Sequence, residues 1–452
     1  MDIRGLIDHR PMTGLQLRAV SFCFFLNMLD GVDVLSISFA APILTRDWHI
    51  DPTTLGVLTP AALAGMMAGS TLIAPLGDTI GRRKVLMVSL LLIAIGMLGV
   101  LLAGSVSSLF ALRLITGLGL GGVVPTMAAF AAELSPERRR SFAVTAVSAG
   151  YPLGATLTGL AALWMLPHLG WQSLFVLGGT LSLLSVPLVG TLLPESPDFL
   201  LSRQPAGALE RLNAFLRALG QPDLKALPQK PTTARHSSRL AEMVAGLVGL
   251  FSAKHRGPTL LLWIAFAMSL ATQYFLQLWT PQLGALAGLS DSQASWAGTI
   301  LNLGLFAGNM SVGWFADQFG LRRVIATYLG AGALLLLFFS YLHGMPALLS
   351  GLGAIGIMQG GFIGLYAVGA RIYPTEIRMT GIGWAAGVGR LGSILGPYLA
   401  GFLVARHVDM AGTFFVFAIP LALASLAVAS MRSPELAVQR RAGAPAAAKA
   451  RG

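Results

Sequence analysis

The sequence predicts an all-α integral membrane protein, with twelve transmembrane helices in two pseudo-symmetric halves of six. Three observations predict it. The chain has 452 residues, of which 55% are hydrophobic and 11% charged, whereas a soluble protein carries about 25% charge. Apolar runs of about 20 residues, the length that crosses a bilayer as a helix, occur twelve times. Landmarks also recur at one spacing. Asp78 in APLGDTIGRRK and Asp317 in GWFADQFGLRR lie 239 positions apart, and Glu137 in LSPERRRS and Glu376 in IYPTEIRMT share that offset.

The runs fall near 18–44, 55–77, 85–103, 107–132, 141–166, 171–193, 258–282, 293–316, 324–343, 346–371, 380–404 and 410–431. With the N-terminus placed in the cytoplasm, basic residues gather in the cytoplasmic segments, and the exterior loops hold only Arg46 and Arg406. This is the positive-inside pattern, with both termini cytoplasmic. The net charge of +12 therefore reflects topology and not a nucleic-acid partner. The polar stretch 194–257 separates the halves and contains ALERLNAFLRAL, an amphipathic segment expected to lie as a short helix on the cytoplasmic face. The predicted organisation is a first half over 1–193, a central loop over 194–257, a second half over 258–431 and a cytoplasmic tail over 432–452. The 54 glycines suit close helix packing in lipid. The polar start MDIRGLIDHRPMTGLQLR does not read as a cleavable signal. Cys23 is the single cysteine, so no intrachain disulfide is expected. There is no Walker motif, which argues against ATP as the energy source. No nucleophile–base set or metal-ligand cluster suggests an enzyme, a cofactor or a metal.

Charges inside the spans carry the functional reading. A charge at bilayer depth costs roughly 2.5–3.5 kcal/mol even on lenient scales and marks a pathway or site by default. Asp30 and Asp33, in LNMLDGVDVLSISFAAPIL, are three apart and share one helix face. At about 1.5 Å per residue, Asp30, Asp33 and Arg113 lie roughly 18, 22 and 21 Å above the cytoplasmic face, and Arg390 roughly 16 Å. The acids read as a proton site, since binding a proton removes the desolvation cost of a buried carboxylate; the alternative is a structural helix–helix hydrogen bond. Gly31 between them allows close approach of a helix or a ligand. Arg113 cannot lose its proton, so at depth it needs an anionic partner, and Asp30 or Asp33 is the candidate. That pairing either couples proton occupancy to helix position or is a permanent ion pair.

The repeat offset places Tyr151 opposite Arg390, Ser269 and Thr272 opposite Asp30 and Asp33, and Leu352 opposite Arg113. The second half thus has one deep cation and no deep acid. Arg390 is the expected bidentate partner of a substrate carboxylate; the alternative has it pairing with Asp30 as a gate. Glu133, near the cytoplasmic end of the fourth span, is either a proton exit group or a partner of Arg82 or Arg138. Polar and aromatic residues at mid-depth include Tyr151, Gln273, Tyr274, Gln277, Asn302, Asn309, Gln359, Tyr366 and Trp384. Of these, Tyr151, Gln273 and Gln359 are the expected substrate contacts.

The loop after the second span ends D-T-I-G-R-R-K, recurs after the eighth, and resembles the signature of the major facilitator superfamily. RLITGLGLGG, from Arg113, resembles that family's fourth-helix motif. The signature's leading glycine is Ala74 in the first copy and Gly313 in the second. The set LDGVD, RLITGLGLGGVVPTMAAFAAELSPERRR, LPESPDFL and GWAAGVGRLGSILGP more narrowly resembles the aromatic acid:proton symporters, bacterial inner-membrane permeases for benzoate, hydroxybenzoates and hydroxyphenylpropionates. The resemblance implies proton-coupled uptake of an aromatic carboxylate by alternating access. It also implies the proton gradient as driving force without a cofactor, a functional monomer in the lipid bilayer, and no nucleic-acid partner. The alternative is a proton-coupled exporter of drugs or metabolites. The resemblance makes Asp78, Gly81, Arg82, Arg83 and Lys84, with Asp317, Gly320, Arg322 and Arg323, a conformational element. Its acid is expected to meet a neighbouring helix N-terminus, and its glycine to permit the tight turn.

Overall fold

A computed structural model describes residues 12–227, 248–252, 255–373 and 375–431. The expected tail over 432–452 and part of the central loop, 228–247, lie outside the described residues. Twelve helical stretches occupy the predicted spans: α1 (Gly14–Trp48), α2 (Pro52–Ile80), α3 (Arg82–Leu102), α4 (Val106–Leu134), α5 (Glu137–Leu169), α6 (Gln172–Leu192), α7 (Arg256–Leu286), α8 (Asp291–Phe319), α9 (Leu321–Leu337), α10 (Met345–Ile372), α11 (Thr375–Ala405) and α12 (Met410–Ser430). Ten of them are long and apolar enough to cross a membrane on those grounds alone. The other two are α8, which carries Asn302, Asn309 and Asp317, and α9, which has 17 residues.

The described residues form two compact units. Unit 1 comprises the described residues within 1–234, 277–302 and 397–407, and unit 2 those within 235–276, 303–396 and 408–452. In unit 1 the entry to α1 is fixed by a capping box, in which Thr13 accepts from the Gln16 amide and the Gln16 side chain accepts from the Thr13 amide. The same glutamine donates to the last carbonyl of α4, Leu134, at 2.8 Å. After α6, a short helix over Pro197–Arg203 packs with the amphipathic helix Ala208–Ala218, which buries Leu212, Phe215 and Leu216.

The repeat seen in the sequence is a repeat of helix packing. Cβ atoms at Gly65 and Gly69 of α2 would strike the carbonyls of Leu114 and Leu118 of α4. At the same offset in unit 2, Gly304 and Gly308 of α8 lie against the carbonyls of Gly353 and Ile357 of α10. Lipid supplies no hydrophobic drive between helices, so backbone-to-backbone packing over small residues holds these pairs. The turn glycines repeat as well. Gly81 and Gly320 adopt φ of 103° and 87°, a region that favours glycine.

Unit 1 also gathers helix ends from the second half of the sequence, 277–302 and 397–407. Pro281 lacks an N–H, so it leaves the carbonyl of Gln277 without its helical donor; the Ser38 hydroxyl of α1 donates to that carbonyl at 2.7 Å. Gln277 donates from its side chain to Asn302 at 2.8 Å, Gly56 packs on Gly401, and Arg46 pairs with Asp291 at 2.6 Å.

Gly308→Leu is expected to destabilise the folded protein by about 1–3 kcal/mol or more, through overpacking against the backbone of α10. Gly313→Leu, with nothing within 4 Å of its Cβ position, is expected to change stability little. Thermal unfolding of both variants in detergent checks this, and equal destabilisation would refute the packing account.

Candidate transport site

In unit 1 the site starts from Asp30 and Asp33, which are 4% and 1% exposed. Gly31 between them receives the carbonyl of Tyr151 on α5, so the glycine serves helix approach and not ligand approach. The Asp33 carboxylate lies against Gly178 of α6, where a side chain would displace it. It accepts from the Ser182 hydroxyl at 3.4 Å, while its Oδ1 has no hydrogen-bond partner among the described residues.

Arg113 is fully buried. Its guanidinium reaches α1, as the depth count predicts, but it binds main chain and not a carboxylate. One nitrogen donates to the carbonyl of Asp33 at 2.9 Å and the other to that of Val34 at 3.4 Å. A carbonyl has two lone pairs, so each can keep its helical donor and accept a second. The Phe175 ring sits 5.7 Å from the guanidinium carbon, a cation–π contact. No ion pair between Arg113 and Asp33 lies within 4.0 Å among the described residues. The charge of Arg113 therefore acts on Asp33 without a side-chain bond that protonation would break.

In unit 2, Arg390 on α11 lies within electrostatic range of Tyr366 on α10, which also faces Tyr274 on α7. Tyr366 belongs to a triangle of rings. Phe266 of α7 stands edge-on to Tyr366 at 5.0 Å and to Phe362 at 5.7 Å, and Phe362 stands edge-on to Tyr366 at 5.8 Å. Gly389, next to Arg390, packs on Phe266. The helix of α10 is interrupted here, with α-helix to Gln359, a 3₁₀ turn over Gly360–Ile363, and α-helix again from Gly364. Gln359, at the break, is 2% exposed, and neither atom of its amide has a partner among the described residues. Gln273 of α7 is 7% exposed, with an unpartnered Oε1. Gln273 and Gln359 thus share unit 2 with Arg390. Tyr151 is half-buried in unit 1, where its described packing contact is the carbonyl against Gly31.

The repeated turn element is arranged differently from expectation. The Asp78 side chain is exposed and only 3.9 Å from Arg82. Glu195 takes the helix start instead, accepting from the amides of Arg83 at 3.2 Å and Ser196 at 3.0 Å and closing over Gly81. Arg83 donates to the carbonyl of Gly190, whose helical donor position is Pro194. Arg82 pairs with Glu133, which also accepts from the Ser196 hydroxyl at 2.7 Å. This occupies Glu133 as a structural partner, where a proton-handling role was one expectation. In the second copy Asp317 is exposed, and Arg322 donates to the carbonyl of Met431, at the end of α12, at 2.8 Å.

Ser182, Phe175, Glu195, Phe266 and Phe362 did not stand out in the sequence as site residues. The 3–4 spacing of Gln359, Phe362 and Tyr366 was the available signal for the last of them.

The family model described as Major Facilitator Superfamily matches residues 21–291 and 262–451. A gallate transporter of Pseudomonas putida is 32% identical over 431 residues, covering 95% of this chain and 94% of its own. A 4-hydroxybenzoate transporter of Pseudomonas aeruginosa is 34% identical over 431 residues, covering 95% of each. A 3-(3-hydroxy-phenyl)propionate transporter of Escherichia coli is 31% identical over 428 residues, covering 93% of this chain and 95% of its own. The crystal structure of a D-xylose–proton symporter superposes with a TM-score of 0.69 at 18% identity, over 93% of this chain and 98% of that one, which is a likeness of fold. With the twelve helices, the internal repeat and the repeated glycine turn, these matches establish that the chain belongs to the Major Facilitator Superfamily of membrane transporters.

Proposed function

We propose that this chain carries an aromatic carboxylate inward together with one or more protons. It works by alternating access in a bacterial-type cytoplasmic membrane, with both termini inside and the monomer as functional unit. The observation that carries the reading is the separation of chemistry between the two units. Unit 1 holds two buried acids beside a fixed guanidinium, and unit 2 holds a cation flanked by aromatic rings. The names of the relatives, all transporters of aromatic acids, support the substrate class.

Asp30 and Asp33 carry the proton. Unprotonated, the two carboxylates outweigh Arg113 and leave the buried set negative, which opposes an incoming anion. Protonation removes that opposition while Arg113 stays charged and anchored. Arg390 holds the substrate carboxylate, with Gln273 and Gln359 of the same unit as further polar contacts. The turn elements Asp78, Gly81, Arg82 and Arg83, and Asp317, Gly320 and Arg322, hold the cytoplasmic helix ends of the halves 1–193 and 258–431 in one access state. Glu133 and Glu195 lock the first copy. The proton gradient is the driving force.

Asp30→Asn and Asp33→Asn are each expected to abolish accumulation of 4-hydroxybenzoate driven by a pH gradient in proteoliposomes. Gradient-driven accumulation retained in both variants would refute the proton assignment. Arg390→Lys keeps the charge but loses the two-pronged geometry. It is expected to weaken binding of the carboxylate about tenfold or more, and binding of the matching uncharged amide much less. Equal weakening of acid and amide would move Arg390 from substrate binding to gating.

A further inference from the structure

The break in α10 places unsatisfied amide chemistry in line with the aromatic triangle. A 3₁₀ turn inside a helix marks a hinge or a functional site, and interrupted helices line the binding sites of transporters. Gln359, Phe362 and Tyr366 follow one another at three and then four residues across the break, so they share one face. Phe266, Ser269 and Gln273 do the same on α7. Phe266 touches both Phe362 and Tyr366, which brings the two faces together.

Consecutive spans alternate in direction, so α7 and α10 run opposite ways. Gln273 is seven residues beyond Phe266, and Gln359 is seven residues before Tyr366. Both therefore lie toward the exterior, about 10 Å from the rings. Arg390 stays at the level of the rings, beside Gly389 on Phe266. The sequence of groups is cation, aromatic cluster, amides. The Ser269 hydroxyl, between Phe266 and Gln273, is fully buried and also has no partner among the described residues. Buried polar atoms are nearly always paired in a folded protein, and here several without partners fall on the two facing helices.

We propose that this cluster reads a ring hydroxyl, so that the chain selects aromatic acids hydroxylated at the para position. This inference rests on the reading of Arg390 as the carboxylate partner. The substrate carboxylate meets Arg390, and the ring packs edge-on or face-on against the cluster of Phe266, Phe362 and Tyr366. The para hydroxyl donates to an amide oxygen and accepts from the Gln359 amide nitrogen. A para-substituted benzene ring with a hydrogen bond at each end bridges the distance between Arg390 and the glutamines. A site built around a hydroxyl rejects the analogue that lacks it, because the buried amides are then left unpaired.

Binding of 4-hydroxybenzoate, benzoate and 4-fluorobenzoate to the purified full-length protein by titration calorimetry tests this. The hydroxylated acid is expected to bind about tenfold or more tightly than either analogue. Gln359→Leu is expected to bring that ratio to within about twofold by weakening 4-hydroxybenzoate. Thermal unfolding of the purified variant reports that it is folded, and the fluoro analogue tests the wild type should the variant not fold. Wild-type affinities equal for all three acids would overturn the hydroxyl readout and leave aromatic carboxylate transport standing. A ratio unaltered by Gln359→Leu would equally overturn it. Binding of none of the three acids would overturn the transport reading itself.

Discussion

Arg113 anchored on the main chain of α1 is the interaction on which the buried charge set of unit 1 depends. A permanently charged group with no exposure must find acceptors, and the carbonyls of Asp33 and Val34 supply them without involving a titrating side chain. The tie between α4 and α1 is therefore the same whether Asp33 carries a proton or not. What protonation changes is the electrostatic balance around a positive charge that does not move. This differs from a switch made by breaking a salt bridge. It also explains why Gly178 matters, since the lack of a side chain there gives the Asp33 carboxylate its place beside α6.

The same demand for backbone satisfaction shapes the helix ends and prolines. Pro281 releases the carbonyl of Gln277, and Ser38 takes it up. At the other side of the membrane, Pro194 follows the carbonyl of Gly190, and Arg83 takes that up. In hydrocarbon an orphaned carbonyl costs several kcal/mol, so each proline fixes which neighbouring side chain sits beside it. Helix breaks in this protein thereby act as specific docking points. The Ser38 contact of α1 and the Arg83 contact of α3 are both built this way.

Much of the fold was legible in the sequence because its signals are long or repeated. A run of about 20 apolar residues has few alternatives, and an offset of 239 that carries two acids also carries Gly65 to Gly304 and Gly81 to Gly320. The site was legible in part. Depth counting brought Arg113 level with Asp33, and the structure joins them. The identity of the acceptor was not readable, because every residue offers a carbonyl and only packing selects among them. Glu195 was hidden for a similar reason. It lies outside the loop signature, and it reaches the amide of Arg83 only once the Pro197–Arg203 helix has folded back. Phe266 and Phe362 looked like two of 23 phenylalanines until their rings were seen to meet beside Arg390.

The interruption of α10 has no counterpart in its repeat partner. Gly360 corresponds to Gly121, yet α4 runs unbroken from Val106 to Leu134. Two copies of one ancestral unit have thus specialised. One keeps an unbroken helix bearing the buried Arg113, and the other interrupts the equivalent helix next to the buried Gln359. On the proposed reading, energisation and cargo recognition then reside on separate descendants of the same segment. Changes around Gly360–Ile363 would on that reading alter what is carried while leaving the acids of α1 intact, a division of labour that lets one scaffold diversify across related nutrients.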